Sequence, residues 1–360
     1  MFADSYRGRR VWLSGHTGFK GAWLAAWLRS LGASVRGYAL APDETQPLYG
    51  ALGLGKMLDS QFADVRDAAA VRKSILEFQP DFLFHLAAQP LVRLSYAVPA
   101  ETMATNVQGT VHVLEALRSL KQPCAAVMVT SDKCYENLET GRPHEETDPM
   151  GGRDPYSASK GMAELAIGSY QRSFFGANQP VRVASARAGN VIGGGDLAVD
   201  RIVPDIIRAR ETRRPLAVRN PSATRPWQHV LEPLSGYLWL GACLASSRLA
   251  ARPDEVATNF NFGPDAEAVR NVGSLVEGFV RAWPDLRVEA GPPGPHEAAR
   301  LSLSIAKAAR VLGWKPVWDF SRTVERTAGW YANSNPASAC AADIDAYVGA
   351  ARQRGLSWTA

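Results

Sequence analysis

The feature that most constrains the fold is a strand, a glycine-rich turn and a helix that follow one another near the N-terminus. Residues 10–14 (RVWLS) form an apolar run that is typical of a strand, and residues 22–28 continue with helical periodicity. Between them, Gly15, Gly18 and Gly21 are spaced GxxGxxG. In this context the glycines allow a tight turn, close approach of a pyrophosphate and close packing of the helix on the strand. The segment predicts a dinucleotide-binding unit, and a purely structural turn is the alternative.

The rest of the first half alternates between strand and helix patterns. Strand signals lie at 34–40, 81–88 and 125–129, an amphipathic helix is predicted at 106–117, and the alternation continues to residue 187. Such alternation predicts an α/β fold, a doubly wound parallel sheet of the Rossmann type. A chain of 360 residues suits two domains. We expect a first domain at 1–186 with a return segment near 226–262, and a smaller C-terminal substrate-binding domain at 187–225 and 263–331. A loosely attached C-terminal extension, 332–360, should follow.

Composition narrows the class of protein. The chain is 46% hydrophobic and 21% charged, which is typical of a globular protein. Its net charge of +5 is spread along the chain, so we expect no nucleic-acid partner. The sequence contains neither a membrane-spanning run nor a signal-peptide core, and we expect no membrane partner. The four cysteines are scattered, which favours reduced thiols and a cytoplasmic location, and the histidine spacing predicts no metal site.

Polar side chains follow the strand predicted at 125–129. Ser131, Asp132 and Lys133 stand in consecutive positions there, and open α/β sheets bind ligands at the carboxyl ends of their strands. Tyr156 and Lys160 are four residues apart, so on a helix they share one face. An ammonium beside a phenol favours the phenolate, which would supply a base. The alternative is a packed tyrosine and a solvated lysine at the start of a helix.

Two further segments suggest cofactor contacts. The second strand ends in Ala39 and Leu40, where an NAD site usually has an acid, so this element leaves NAD and NADP undecided. Asp64 could accept a hydrogen bond from an adenine amino group, or it could cap the helix that begins near Ala68. The small residues that end the strand signal at 81–88 would let a flat cofactor lie against the backbone.

Together these motifs resemble the extended short-chain dehydrogenase/reductase family. The GxxGxxG turn, Asp64, the HLAA string at 85–88, Asn106, Ser131 and the YxxxK pair all fall in that family's order. Longer strings at 15–21 (GHTGFKG), 89–93 (QPLVR), 130–137 (TSDKCYEN), 189–196 (GNVIGGGD) and 225–233 (RPWQHVLEP) resemble one branch, the CDP-glucose 4,6-dehydratases. The resemblance extends from about residue 9 to residue 331.

The resemblance implies NAD as cofactor, CDP-glucose as substrate and a homodimer or homotetramer. Enzymes of this branch oxidise the sugar at C4, eliminate water across C5 and C6, and return the hydride to C6, in deoxysugar biosynthesis such as that of lipopolysaccharide O-antigen. The implied cofactor-binding residues are Gly15, Thr17, Gly18, Phe19, Gly21, Asp64, Val65, Leu86, Ala87, Ala88, Asn106, Tyr156 and Lys160. The implied substrate-binding residues are Gln89, Asn190, Arg201, Arg225 and His296.

The resemblance also distributes the catalytic roles. Tyr156 would take the C4 hydroxyl proton, with Lys160 lowering the pKa of Tyr156 and holding the nicotinamide ribose. Ser131 would hydrogen-bond the C4 carbonyl, and Asp132 would protonate the departing C6 hydroxyl. The related dTDP-glucose dehydratases have a glutamate in place of Lys133, where it removes the C5 proton. We hypothesise that Lys133 is this base, and stabilisation of the enolate by its charge is the alternative.

Other functions stay open from sequence. A different nucleotide-sugar dehydratase or an epimerase could use the same scaffold, although an epimerase needs only Tyr156 and Lys160. A cofactor-binding regulator without catalysis is a rival from another class, but it would not need Ser131 and Asp132 as well.

Overall fold

The computed structural model describes residues 1–43, 47–176, 178–291 and 301–360. The strands are β1 Arg10–Ser14, β2 Ser34–Ala39, β3 Asp59–Phe62, β4 Phe82–His85, β5 Cys124–Val129, β6 Val181–Ala188, β7 Val191–Ile192, β8 Leu216–Val218, β9 Thr224–Pro226, β10 Gln228–His229, β11 Asn259–Phe262, β12 Val269–Asn271 and β13 Val288–Ala290. The helices are α1 Phe19–Ser30, α2 Leu48–Ala51, α3 Ala68–Phe78, α4 Val92–Ala97, α5 Pro99–Met103, α6 Gly109–Arg118, α7 Pro155–Phe174, α8 Ile202–Thr212, α9 Leu231–Ala245, α10 Val272–Ala282, α11 Phe320–Ala332 and α12 Pro336–Gln353.

Within the described ranges, seven parallel strands form the central sheet in the order β11-β6-β5-β4-β1-β2-β3. All six residues of β5 are buried, as expected for a central parallel strand covered on both faces. Ala125, Val127 and Val129 belong to the hydrophobic cluster that contains α1 and α9, whereas Ala126 and Met128 belong to the cluster that contains α3 and α6. Helices therefore cover both faces, and the predicted doubly wound fold is confirmed.

A third hydrophobic cluster lies beyond the sheet. It includes Ile206 of α8, Phe279 of α10, Val324 of α11 and Trp227, and short two-stranded sheets accompany these helices. Strand β11 returns to the edge of the central sheet beside β6, after α9 has packed into the first cluster. The domain boundaries that we predict from sequence stay predictions.

Local sequence signals explain most of the helix starts near the site. Asp154 caps α7 by accepting the Ser157 amide, and Pro155 follows at the first helical position, where its missing N–H costs nothing. Helix α3 is capped by Asp67, which accepts the Ala70 amide, so our alternative assignment of that cap to Asp64 was wrong. The helix predicted at 106–117 begins with a π-helical turn, Ala104–Gln108, and continues as α6.

The C-terminal segment contradicts the expectation of a loose attachment. Trp358 is fully buried and stacks on Phe2, with ring centroids 5.2 Å apart. Tyr347 of α12 is also fully buried, and its hydroxyl donates to Glu232 Oε2 of α9 at 2.7 Å. Large aromatic side chains contribute several kcal/mol each when buried, so this segment is part of the main core.

No helix in the described ranges is long and apolar enough to cross a membrane.

Candidate active site

The glycine-rich turn brings β1 and α1 against the end of β4. Gly15 has φ +76°, and a Cβ there would lie 2.8 Å from the Ala87 backbone nitrogen. A Cβ on Gly21 would overlap the Gly15 carbonyl oxygen, so both positions exclude any side chain. Helix α1 begins after Gly18 with no side chain of the described residues capping its free amides. Uncapped amides at a helix start, beside a turn without side chains, fit the pyrophosphate of a dinucleotide.

The neighbouring predicted cofactor residues hold this turn and the strand ends together. Ser14 Oγ accepts the amides of Leu86 and Ala87, each at 3.1 Å. The Thr17 hydroxyl donates to the Leu40 carbonyl at 3.1 Å, at the end of β2. The remaining predicted positions in this region are Phe19, whose ring lies near Gly193, Val65, which packs on Gly109, and Ala88 after β4.

Asp64 has a partner within the chain. Its Oδ2 accepts from Arg66 Nη2 at 2.6 Å, and its Oδ1 accepts the Arg66 amide at 2.8 Å. The Arg66 guanidinium lowers the pKa of this carboxyl. A carboxylate that is held ionised in this way can still accept from an adenine amino group, because it has further lone pairs.

Asn106 and Gln89 form a clamp beside the site. Asn106 Oδ1 accepts the Gln89 amide at 2.8 Å, and Asn106 Nδ2 donates to Ser159 Oγ of α7 at 2.8 Å. The Gln89 side chain accepts the Leu91 amide at 2.6 Å and donates to Thr102 Oγ1 at 3.0 Å. These bonds account for both amide side chains. Both side chains therefore hold the loop after β4 against α5 and α7, and their predicted ligand contacts stay predictions.

The predicted catalytic residues lie together at the carboxyl end of β5. Ser131, Asp132, Tyr156 and Lys160 are all buried. The Ser131 hydroxyl donates to Asp132 Oδ1 at 3.0 Å and accepts the Lys133 amide at 3.2 Å. Lys133 Nζ lies 3.8 Å from Asp132 Oδ1, and its side chain is 28% exposed. Asp132 Oδ2 is buried and has no hydrogen-bond partner among the described residues.

Burial dominates the electrostatics of the tyrosine–lysine pair. It raises the pKa of Tyr156 to about 12, although the hydrogen bond with Ser131 lowers this pKa in part. Burial also lowers the pKa of Lys160 to about 8, against the opposing charge of Glu164 on the next turn of α7. The pKa of Tyr156 therefore shifts opposite to our expectation of a ready phenolate beside Lys160. Removal of a proton by Tyr156 needs a further acceptor or an added positive charge.

Part of the predicted substrate set reaches the same centre. Arg201, at the start of α8, pairs with Asp196 at 2.9 Å, and its charge lowers the pKa of Tyr156. A Cβ on Gly189, next to Asn190, would lie 2.9 Å from Asp132 Oδ2 and 3.3 Å from Pro226. Asn190 therefore follows a residue that faces Asp132, and Arg225 precedes Pro226, which lies beside that same glycine. His296 lies outside the described residues.

Sequence reasoning missed two residues of this centre. The pKa of Lys20 in α1 is lowered to about 8 by burial and by the charge of Arg201, with smaller effects of Lys160 and Lys133. Its Nζ lies 5.9 Å from the ring centroid of Tyr237, whose hydroxyl is buried without a partner among the described residues. A lysine inside the otherwise apolar start of α1 was the available signal for Lys20. Nothing in the local pattern of α9 distinguishes Tyr237 from a core aromatic.

A buried tyrosine–lysine pair beside a glycine-rich turn, on a doubly wound sheet, defines an extended short-chain dehydrogenase/reductase. The chain belongs to the family described as GDP-mannose 4,6 dehydratase, whose model matches residues 13–327. It is 46% identical over 332 residues to a CDP-glucose 4,6-dehydratase of Salmonella typhimurium, covering 91% of each chain. It is also 32% identical to a dTDP-glucose 4,6-dehydratase of Streptomyces antibioticus, covering 74% of each.

Solved structures support the fold. An epimerase of Methanothermobacter thermautotrophicus superposes with a TM-score of 0.77 at 22% identity, covering 92% of this chain and 94% of that one. A dTDP-glucose 4,6-dehydratase of Streptomyces venezuelae, solved with NAD bound, gives a TM-score of 0.74 at 21% identity, covering 90% of this chain and 97% of that one.

Among the described residues, no group of three or more His, Cys, Asp or Glu side chains could hold a metal ion.

Proposed function

We propose that the chain is an NAD-dependent CDP-glucose 4,6-dehydratase that converts CDP-glucose to CDP-4-keto-6-deoxyglucose. The observation that carries the proposal is the joining of two sets of groups at one buried centre. Tyr156 and Lys160 are the groups that hydride chemistry needs, and Asp132 is hydrogen-bonded to Ser131 beside them. The identity of 46% to a CDP-glucose 4,6-dehydratase over most of both chains supports the choice of substrate.

Each residue has a physical role in this reaction. The bound cofactor would accept the C4 hydride and later return it to C6. Tyr156 would receive the C4 hydroxyl proton, and the Lys160 ammonium would hold the ribose. Ser131 would donate to the C4 oxygen, and Asp132 would protonate the C6 hydroxyl as it leaves.

Removal of the C5 proton is assigned to Lys133. Lys133 Nζ lies 3.8 Å from Asp132 Oδ1 and its side chain is partly exposed, so it stands beside the group proposed to protonate the C6 hydroxyl. Stabilisation of the enolate by the Lys133 charge is the alternative role.

The substrate's diphosphate would lie between the ends of the central strands and the third hydrophobic cluster. Arg201 and Arg225 supply guanidinium groups, which bind phosphate oxygens through paired hydrogen bonds. Asn190 would add an amide donor beside them. Selection of cytidine rests on the similarity to the Salmonella typhimurium enzyme.

Two further parts of the proposal concern assembly and location. Met162 and Leu165 on α7 are 47% and 61% exposed, and this apolar face would suit a homo-oligomer in which α6 and α7 pair with those of a second copy. The cysteines of the chain are free and buried, which suits the reducing cytoplasm. A cross-linking or light-scattering measurement of Leu165→Glu tests whether this face of α7 forms the homo-oligomer.

The function is tested by incubating the purified protein with NAD and, separately, with CDP-, dTDP-, UDP- and GDP-glucose. We expect CDP-glucose alone to lose the mass of one water molecule. Loss of water from another nucleotide sugar would change the substrate assignment, and an isomer of unchanged mass would indicate an epimerase. NAD binding without conversion of any of the four sugars would favour a regulator.

A further inference from the structure

One acid in the segment between β7 and α8 is buried beside a predicted substrate-binding residue. Asp196, the last residue of the GNVIGGGD string, is 4% exposed. Its Oδ2 accepts from Arg201 Nη1 at 2.9 Å, and its Oδ1 accepts the Ala198 amide at 3.1 Å. Both oxygens of this carboxylate are therefore engaged within the chain, and one of them holds a guanidinium that we assign to the substrate's diphosphate.

The backbone that carries Asp196 is anchored by two helices. The Asp196 carbonyl accepts the Tyr331 hydroxyl of α11 at 2.8 Å, and the Gly194 carbonyl accepts from Trp23 Nε1 of α1 at 2.9 Å. The Trp330 ring lies against Gly194, where a Cβ would overlap it. Because α1 and α11 hold this loop, the Asp196 carboxylate has a fixed position from which to orient Arg201.

Arg201 keeps part of its capacity to bind an anion. Its side chain is 36% exposed, and within the described ranges Nη1 is its one nitrogen with an acceptor. A guanidinium has five N–H donors in a rigid plane, so a carboxylate at one edge leaves donors for a phosphate at another. The charge of Arg201 also lowers the pKa of Tyr156, which agrees with a position beside the reacting sugar.

We propose that Asp196 is a positioning residue that holds the Arg201 guanidinium in place for the diphosphate of the substrate. The inference rests on the proposed function only in requiring a nucleoside diphosphate. A free arginine loses side-chain entropy when a phosphate immobilises it, whereas an arginine held by a fixed carboxylate has lost part of that entropy before the ligand binds. Asp196 therefore strengthens binding of the diphosphate, although its own charge repels a phosphate.

These two effects of Asp196 predict opposite results, and Asp196→Asn separates them. Asparagine keeps a side-chain oxygen that accepts the Ala198 amide, but it lacks the charge that holds Arg201. In calorimetry, CDP should bind about tenfold more weakly to Asp196→Asn than to the wild-type protein. Unchanged or tighter binding of CDP would show that removal of the repulsion outweighs the loss of positioning, and the proposal would be overturned.

Two comparisons establish whether the loss acts through Arg201. Cytidine, which has no phosphate, should bind to Asp196→Asn within about twofold of its wild-type affinity, and an equal loss for cytidine and CDP would indicate a disturbed pocket and overturn the proposal. Arg201→Met should weaken CDP binding about 50-fold. Addition of Asp196→Asn to Arg201→Met should cause no further loss, because the residue to be positioned is absent. Losses that multiply would separate Asp196 from Arg201 and contradict the proposal.

Steady-state kinetics distinguish binding of the diphosphate from an effect on Tyr156. Asp196→Asn should raise KM for CDP-glucose about tenfold and leave kcat within about twofold of wild type, because Arg201 keeps its charge. A lower kcat at an unchanged KM would place Arg201 at the reacting sugar and not at the diphosphate. That result would also overturn the proposal.

Asp205→Asn is the matched control. Asp205 Oδ1 pairs with Arg208 Nη2 at 2.6 Å on α8, so this variant removes an aspartate–arginine pair without removing the partner of Arg201. CDP affinity and KM should stay at their wild-type values. A similar loss in Asp205→Asn would attribute the effect to the stability of α8, against the proposal. Urea unfolding midpoints establish that each variant is folded.

The proposed function is tested separately by the loss of one water molecule from CDP-glucose. A protein that binds CDP through Asp196 and Arg201 but leaves CDP-glucose unchanged would lose the proposed function and keep this inference. If a different nucleoside diphosphate binds, the same series of variants applies to that nucleotide. A wild-type protein that binds no nucleoside diphosphate would overturn both.

Discussion

Two lysines of the catalytic centre differ in their surroundings. Lys160 is 6% exposed on α7, and it has no carboxylate within ion-pair distance among the described residues. Lys133 follows β5 in the short turn Asp132–Cys134, its side chain is 28% exposed, and its ammonium lies 3.8 Å from Asp132 Oδ1. Burial lowers the pKa of Lys160, whereas Lys133 is partly exposed and lies beside a carboxylate. The helix and the turn can therefore be perturbed separately.

The largest effect is expected on α7, the helix that carries Lys160 and Tyr156. Tyr156→Phe removes the only group proposed to receive the C4 proton, so cofactor reduction by CDP-glucose should fall about 1000-fold in single-turnover measurements. Tyr135→Phe is the matched control, because Tyr135 is also buried, but its hydroxyl binds Asn261 Oδ1 at 2.7 Å outside the reaction path. Similar losses in both variants would show that Tyr156 acts through packing and not through its hydroxyl.

Substitution of Lys133, in the turn after β5, should slow the elimination step and not the oxidation. Lys133→Met should lower incorporation of solvent deuterium at C5 about 100-fold while leaving C4 oxidation close to wild type. Lys133→Arg distinguishes the two roles, because arginine keeps the charge but does not act as a base near neutral pH. Normal C5 exchange in Lys133→Met would exclude the base role, and exchange retained only in Lys133→Arg would assign Lys133 to enolate stabilisation.

The lowered pKa of Lys160 predicts how cofactor binding depends on pH. Because burial depresses this pKa to about 8, the ammonium is present below that pH and is lost as the pH rises through it. NAD affinity of the ligand-free protein should therefore weaken above about pH 8, by up to about tenfold per pH unit, as measured by calorimetry. Lys160→Met should bind more weakly at low pH and lack this decline.

Lys20 provides the control, since its pKa is also lowered to about 8. If the loss of NAD affinity above pH 8 persists in Lys160→Met but disappears in Lys20→Met, then Lys20 is the group whose proton matters.

The stability of the protein without NAD should change with pH in the opposite direction. Between pH 8 and 10.5, the ordinary pKa of a lysine, the unfolded chain still binds a proton that the folded Lys160 has released, so this residue's contribution to stability rises with pH.

The sequence predicted the helix and turn residues because their signals are local. A GxxGxxG spacing directly after a strand has few uses, and the structure places Gly15 and Gly21 where a Cβ would overlap backbone atoms. Polar residues at the end of a buried strand are equally informative, because the sheet brings them to one edge. The consecutive residues 131–133 were identified in this way.

What the sequence could not supply depends on contacts between distant segments. The direction of the Tyr156 pKa shift comes from burial by several elements, and no spacing within α7 reports it. The C-terminal segment was misjudged because α12 is rich in alanine, and because Trp358, which follows α12, finds its partner Phe2 at the opposite end of the chain. Asp64 and Asp67 are both good caps by type, and only the geometry of the turn selects Asp67.

The junction between the helix and the turn predicts the smallest effect. Thr130, the residue before the catalytic turn, donates its hydroxyl to Glu164 of α7, and Glu164 also accepts from Ser185 at 2.8 Å and pairs with the buried Arg187 at 2.7 Å. Thr130→Val should lower the free energy of unfolding by about 1 kcal/mol, because Glu164 keeps its other two partners. The same substitution loosens the turn relative to the helix, so it should also slow the elimination about threefold.

Ser185→Ala is the matched control for this junction. It removes a hydrogen bond to the same carboxylate, but from β6 and not from the strand that carries Asp132 and Lys133. We expect a similar loss of stability, measured by urea unfolding, with an unchanged ratio of elimination to C4 oxidation. If both variants slow elimination equally, the effect comes from the charge of Glu164 acting on Lys160, and not from a mechanical link between α7 and the turn. The helix and the turn would then be independent, because a mechanical link through Thr130 must affect the turn more than a contact from β6 does.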